Sequence, residues 1–246
     1  QNSLVTGPPG TGKTVMAMLR AQALVQESPD TKASLIMYNK VLVAYSGSWQ
    51  NPEFKNGVDV RTYHSWVYKI WSDLIARDKP PLMPNDKWSY DWPRITPEFT
   101  KRRAALGHVI VDEAQDQPKE FYQFLGAVSV LGPDTDCCVV ADENQQLHEG
   151  NASIADIKLG LRVAGAFQDF PLTRNYRNTR PIAKLAKEFY TGTKTGIPEL
   201  PSGRNSEGRR PLLVSCPDQQ RMIDRIWNYA RNNQEHSILV ICTAGE

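Results

Sequence analysis

The sequence predicts an α/β fold, a parallel sheet with flanking helices followed by the start of a second, smaller α/β unit. Three observations lead there. Short apolar runs of strand length alternate with segments of helical periodicity. Those runs end in polar clusters, an arrangement that puts ligands at the carboxyl edge of a parallel sheet. One such end, Thr6-Gly7-Pro8-Pro9-Gly10-Thr11-Gly12-Lys13-Thr14, fits G-x-x-x-x-G-K-[ST] without a mismatch.

Taken in order, Ser3-Leu4-Val5 reads as the end of a buried strand, and Val15-Met16-Ala17-Met18-Leu19 opens a helix reaching about Gln26. A turn at Ser28-Pro29-Asp30 leads to a second strand over residues 33–38. Asn39 is placed to cap the next helix, which carries Leu42 and Tyr45 on its apolar face. Val58-Asp59-Val60 is a third strand, and a helix through Trp71 and Ile75 follows. At about 77–100 the chain becomes rich in Pro, Asp and Trp and helical periodicity disappears, which reads as an insertion on the surface of the main sheet. Its tryptophans are either stacking platforms for bases or anchors of an irregular loop.

His108-Val109-Ile110-Val111 is a fourth strand that delivers Asp112-Glu113 at its end, and a helix follows Pro118. Cys137-Cys138-Val139-Val140-Ala141 is a fifth strand, ending in Asp142-Glu143-Asn144-Gln145-Gln146. From Pro171 the pattern restarts: a helix from Asn178-Thr179-Arg180-Pro181 to about Tyr190, a strand at Leu212-Leu213-Val214, an amphipathic helix around Ile223-Ile226-Trp227, and a strand at Ile238-Leu239-Val240-Ile241. Two domains are therefore expected, 1–170 and a partial one at 171–246.

Composition bounds the function. Hydrophobic content of 40% and charged content of 23% are those of a soluble globular protein, and no apolar run approaches the ~20 residues that span a bilayer. A net charge of +2 is too small to argue for nucleic acid by itself. Cys137 and Cys138, adjacent on one strand, cannot face one partner, and no C-x-x-C pair exists for a metal. They read as small buried residues in a reducing compartment, so the cytoplasm is the expected location.

The chemistry is concentrated at two strand ends. Gly7, Gly10 and Gly12 let the backbone curl so that successive N–H groups surround a polyphosphate, and the helix behind adds its positive end. Lys13 is placed to reach the β- and γ-phosphates of ATP, and the Thr14 hydroxyl to hold Mg²⁺. An apolar strand ending in Asp112 supplies the expected metal partner of Thr14, and Glu113 a base for the attacking water.

The ordered set TGPPGTGKT, TYHSW, VDEAQD, ADENQQ and NYRNT resembles motifs I, Ic, II, III and IV of superfamily 1 helicases, closest to the UvrD/Rep-like branch. The resemblance implies a RecA-like P-loop core with a partial second RecA-like domain, the motor of an ATP-dependent helicase or translocase moving 3′ to 5′ along single-stranded DNA, with RNA as the other possible track. It further implies that Gln145 senses the γ-phosphate, that Tyr176 stacks on adenine, and that Arg177 reaches the γ-phosphate from the second domain. Tyr38 and Asn39, in the motif Ia region, and Thr62 and His64, in T-x-H-S, would touch nucleic acid.

Three departures stand out. Ala141 occupies a position where the family usually has Gly. Leu147-His148-Glu149-Gly150 follows where stacking aromatics are common. The upstream glutamine motif and motifs V and VI are absent, so the chain alone is expected to bind nucleotide and hydrolyse it poorly. Two other readings compete: a P-loop ATPase switch that remodels or signals without translocating, and a nucleic-acid-binding module without catalysis. Intact Lys13, Asp112 and Glu113 argue against the second.

Overall fold

The computed structural model describes residues 2–38, 43–44, 57–129, 136–142, 145, 150–162, 167–189, 199–201 and 207–240. It forms two compact units, Gln1–Gly208 and Arg209–Glu246. In the first, a six-stranded sheet has the order β3-β2-β6-β7-β1-β8, with every neighbouring pair parallel. Its strands are β1 (Asn2–Thr6), β2 (Ala33–Met37), β3 (Val58–Thr62), β6 (His108–Val111), β7 (Cys137–Ala141) and β8 (Phe167–Pro171). A separate two-stranded antiparallel ribbon pairs β4 (Leu82–Met83) with β5 (Asp86–Tyr90).

The continuous apolar strands follow from burial on both faces. Leu4, Ile36, Val109, Val111, Cys137 and Val139 belong to one core, and Val5, Leu35, Met37, Ile110, Cys138 and Val140 to the other. Successive side chains alternate between faces, which is why the adjacent Cys137 and Cys138 are both buried and free yet sit in different cores. Helix α1 (Lys13–Glu27) covers the second face with Ala17, Met18, Ala21 and Leu24, spaced at helical period, while Val15, Met16 and Leu19 stay exposed. Helices α2 (Tyr63–Leu74), α3 (Trp92–Arg102), α4 (Lys119–Ser129) and α5 (Ile154–Leu161) supply the first core.

Four sequence expectations change. The segment at 77–100 is not an irregular surface loop: it contains the β4–β5 ribbon and α3. Asp91 caps α3 by accepting from Arg94 N–H, Pro93 sits in its first turn, and Pro97 lies inside the helix. These two prolines hid the helical period. Trp92 is 4% exposed and its ring stacks near Phe124 at 4.8 Å, whereas Trp88, on the ribbon, is 68% exposed. Trp92→Ala is therefore expected to cost about 3–5 kcal/mol of stability, and Trp88→Ala less than about 0.5, measured by denaturant unfolding.

Second, β8 and α5 were not foreseen. Third, the division between units falls after Gly208 rather than near residue 170. The reason is local bonding: β8 pairs with β1, Leu172 N–H donates to Thr6 O at 2.7 Å, and Tyr176 N–H donates to Gly10 O at 2.8 Å. Fourth, neither 212–214 nor 238–240 forms a strand, and Leu212, Leu213 and Leu239 are more than 80% exposed. A strand needs a neighbour for its backbone groups, and the one described helix of this unit, α7 (Gln219–Asn232), buries none of its residues. Helix α6 (Arg180–Lys187) forms near its expected place in the first unit. No described helix is long and apolar enough to cross a membrane.

Candidate nucleotide site

The phosphate loop joins β1 to α1. Gly10 has φ +84° and Gly12, the residue before α1, φ +89°, left-handed conformations that favour glycine. At Gly10 a Cβ would also approach Asn175 Oδ1 to 2.5 Å. The Thr11 hydroxyl donates to Pro8 O at 2.9 Å and closes the loop on itself. The Lys13 ammonium is buried; it donates to Gly7 O at 2.8 Å, Pro8 O at 3.1 Å and the Asp142 carboxylate at 3.1 Å. The charge is thus paired across the loop with the end of β7.

Asp112 follows β6, and its backbone N–H donates to Ile36 O at 2.8 Å. The side chain is fully buried and neither carboxylate oxygen has a hydrogen bond of good geometry. Burial foremost, then the neighbouring Glu113 charge, push its pKa up to about 6; the nearby Thr14 hydroxyl, the Glu113 backbone and Lys13 pull the other way. A buried carboxylate with unmet acceptors beside a hydroxyl is a donor set that Mg²⁺ fits, since it takes hard oxygen ligands and keeps few of them from protein. Among the described residues no group of three or more His, Cys, Asp or Glu could hold a metal, so phosphate oxygens would have to complete the shell around Thr14 and Asp112.

Glu113 has φ 50° and ψ 50°, a left-handed backbone for a residue with a Cβ, and begins the 3-10 turn Ala114–Asp116. Such a conformation costs about 1–3 kcal/mol, and here it turns the Glu113 side chain out of the strand line. Gln115, fully buried, donates from Nε2 to Glu113 Oε2 at 2.8 Å and accepts from Asp142 N–H at 2.9 Å. Asp142 in turn accepts from Gln145 Nε2 at 2.7 Å as well as from Lys13. The structure therefore brings Lys13, Thr14, Asp112, Glu113 and Gln145 to one sheet edge. Gln115 and Asp142 were not among the expected site residues, because only their partners across strands mark them out.

Tyr176 and Arg177 lie in the same unit as the phosphate loop. The buried Asn175 accepts at Oδ1 from the N–H groups of Arg177 and Asn178, both at 3.1 Å, and packs on Gly10. This turn seats Tyr176 N–H on Gly10 O. The Tyr176 ring is exposed, with the Arg174 guanidinium 5.2 Å from its centroid, and the Arg177 side chain is exposed. The expectation that a second domain carries Arg177 to the site is corrected accordingly: β8 and the Asn175 turn hold this segment beside the loop.

The residues expected to touch nucleic acid are spread along the same edge. Thr62 caps α2, its hydroxyl accepting from Ser65 N–H at 3.4 Å. His64 Nδ1 lies 3.3 Å from Tyr90 Oη, and its ring meets Trp88 edge-on at 6.1 Å. Desolvation by these neighbours lowers the His64 pKa, so the ring is neutral at neutral pH. Tyr38, just past β2, is partly exposed. Tyr38, His64, Met83, Trp88 and Tyr90 line one groove of about 1070 Å³, with Asp86, Asp116 and Glu120 also on its walls. Asn39 lies outside the described residues.

The family described as an AAA domain matches residues 1–151. A comparison with curated proteins finds no match. Among solved structures, the crystal structure of the DUF1998 helicase MrfA bound to DNA and AMPPNP is similar to 77% of this chain at 12% identity, with a TM-score of 0.38. This chain covers 30% of that one. The matched family region holds the phosphate loop, the Asp112–Glu113 strand end and Gln145, and on it the identification rests: the chain belongs to the AAA domain family, and its first unit is a helicase-like, RecA-type P-loop core.

Proposed function

We propose that this chain is the nucleotide-hydrolysing part of a motor that uses ATP and Mg²⁺ to move along single-stranded nucleic acid, DNA in the first instance and in the 3′ to 5′ direction. The observation that carries the reading is the buried, unsatisfied Asp112 carboxylate beside Thr14, at the sheet edge that also bears Lys13 and Glu113. In this reading Lys13 leaves Asp142 for the β- and γ-phosphates, and the loop N–H groups from Gly7 to Thr14 cradle the chain of phosphates. Thr14 and Asp112 hold Mg²⁺, which neutralises charge on the phosphate oxygens when bound. Glu113 accepts a proton from water as its oxygen bonds to the γ-phosphorus and ADP departs.

Gln145 is positioned to sense the γ-phosphate, Tyr176 to face the adenine, and Arg177 to stabilise charge on the transferred group. Residues 171–246 are read as the beginning of a second RecA-like domain, which fits the exposed apolar side chains of the Arg209–Glu246 unit. The aromatic groove at the same edge supports a nucleic-acid track: Tyr38, His64 and Trp88 present ring faces on which bases stack regardless of sequence. The acidic side chains on its walls favour bases inside and phosphates outside. The cytoplasm is the compartment this reading assigns.

The test is ATP turnover by the intact protein with and without single-stranded DNA, beside strand displacement on a tailed duplex. Stimulated turnover with displacement is expected, and Lys13→Ala abolishes both. Turnover indifferent to DNA and RNA would instead favour the ATPase switch, which the lack of aromatics in Leu147-His148-Glu149-Gly150 favours from sequence.

A further inference from the structure

We propose that Gln115 is a positioning residue for nucleotide hydrolysis, a buried amide that ties the base Glu113 to the tip of β7 and through it to Lys13 and Gln145. The inference rests on the functional reading above and names a residue that reading does not use. Gln115 is fully buried, and both ends of its amide are engaged: Oε1 accepts from Asp142 N–H at 2.9 Å and Nε2 donates to Glu113 Oε2 at 2.8 Å. The partners fix which end is which. A backbone N–H can only donate and an ionised carboxylate can only accept, so a flipped amide would leave two donors facing each other and two acceptors facing each other.

The consequence for Glu113 is geometric. It is only partly buried, and a carboxylate on a flexible side chain samples several rotamers. General-base work needs it within about 2.6–3.2 Å of the attacking water. The left-handed backbone at Glu113 and the Gln115 amide together hold the side chain in one place. Because Gln115 engages Oε2, Oε1 is the oxygen left to take the proton. The other end of the amide sits on Asp142, whose carboxylate accepts from both Lys13 and Gln145. The groups that grip, sense and attack the γ-phosphate are thereby joined through two side chains, and a shift of the β7 tip moves the base with it.

The test compares variants of the intact protein by steady-state ATP turnover and by binding of a fluorescent ATP analogue. Gln115→Glu keeps an oxygen for Asp142 N–H but sets a carboxylate against Glu113; Gln115→Met keeps the length and loses both bonds. Both are expected to lower kcat about 10–100-fold, the scale seen when an orienting outer-shell partner is lost. KM and the affinity for the analogue stay within about twofold, which also shows that the variants fold. In a Glu113→Gln background neither variant lowers kcat further, because residues acting as one unit are not additive.

Wild-type kcat in Gln115→Glu would overturn the proposal, leaving Gln115 a simple tie between strands. So would losses that multiply with Glu113→Gln, or a raised KM at unchanged kcat. If Gln115→Glu does not fold, Gln115→Met and its cycle with Glu113→Gln decide the matter alone. A wild-type protein that hydrolyses no ATP overturns the functional reading and this inference together; active wild type with fully active Gln115 variants overturns this inference only.

Discussion

Glu113→Gln is expected to lower ATP hydrolysis by about 10²–10⁴-fold, the contribution of a positioned general base, or roughly 3–5 kcal/mol on the barrier. Nucleotide affinity should stay near wild type, since the phosphate loop, Lys13 and Thr14 are untouched. The substitution is also structurally mild. A glutamine at this position keeps a side-chain oxygen for the Gln115 Nε2–H and needs no change in the left-handed backbone beyond the one Glu113 already adopts. Single-turnover hydrolysis alongside binding of a fluorescent analogue separates the two quantities. Unchanged turnover would remove Glu113 from the mechanism and revive the reading of a binding module without catalysis.

Asp112→Asn is expected to act in opposite directions on stability and on catalysis. With divalent metal chelated, the wild-type carboxylate is buried without good hydrogen bonds and its pKa stands at about 6 against 3.8 for the free group. Below the unfolded value both states are protonated and nothing is lost. As pH rises from about 4 to beyond 6, the unfolded chain ionises first and the folded state must then bury a charge. The raised pKa therefore destabilises the fold at neutral and higher pH, by on the order of 3 kcal/mol before any relaxation.

The asparagine variant escapes this loss, so in chelator it should melt higher than wild type at pH 7–8, with the advantage fading toward pH 4. Added Mg²⁺ and nucleotide should reverse the order, because ligand binding to the folded state stabilises only the protein that still holds the metal. Thermal melts over that pH range, with and without Mg²⁺, check both signs. A difference that does not change with pH would show that Asp112 is not the group being ionised in the interior.

How much of this was legible beforehand depends on where the information sits along the chain. The phosphate loop is nine consecutive residues, and the geometry of Gly10 and Gly12 is local, so the pattern alone located it. Asp112 and Glu113 end an apolar strand and were found in the same way. Strands buried on both faces betray themselves as unbroken apolar runs, which is why β1, β2, β6 and β7 were readable and lie where expected. Helix α3 was missed because Pro93 and Pro97 interrupt the signal that marks a helix, although Ile95 and Phe99 still carry its buried face at a spacing of four.

What the chain determined by itself is the order of its elements and the chemistry at the ends of two strands, since both are written in neighbouring residues. Only the tertiary structure decided which tryptophan is inside, and that β8 and the Asn175 turn seat Tyr176 on the phosphate loop. It alone decided too that Gln115 spans from Glu113 to Asp142. These are contacts between residues far apart in sequence or on adjacent strands, and no local period encodes them. The same reason explains the second unit: 212–214 and 238–240 have the composition of strands, but a strand exists only where another backbone is there to bond it.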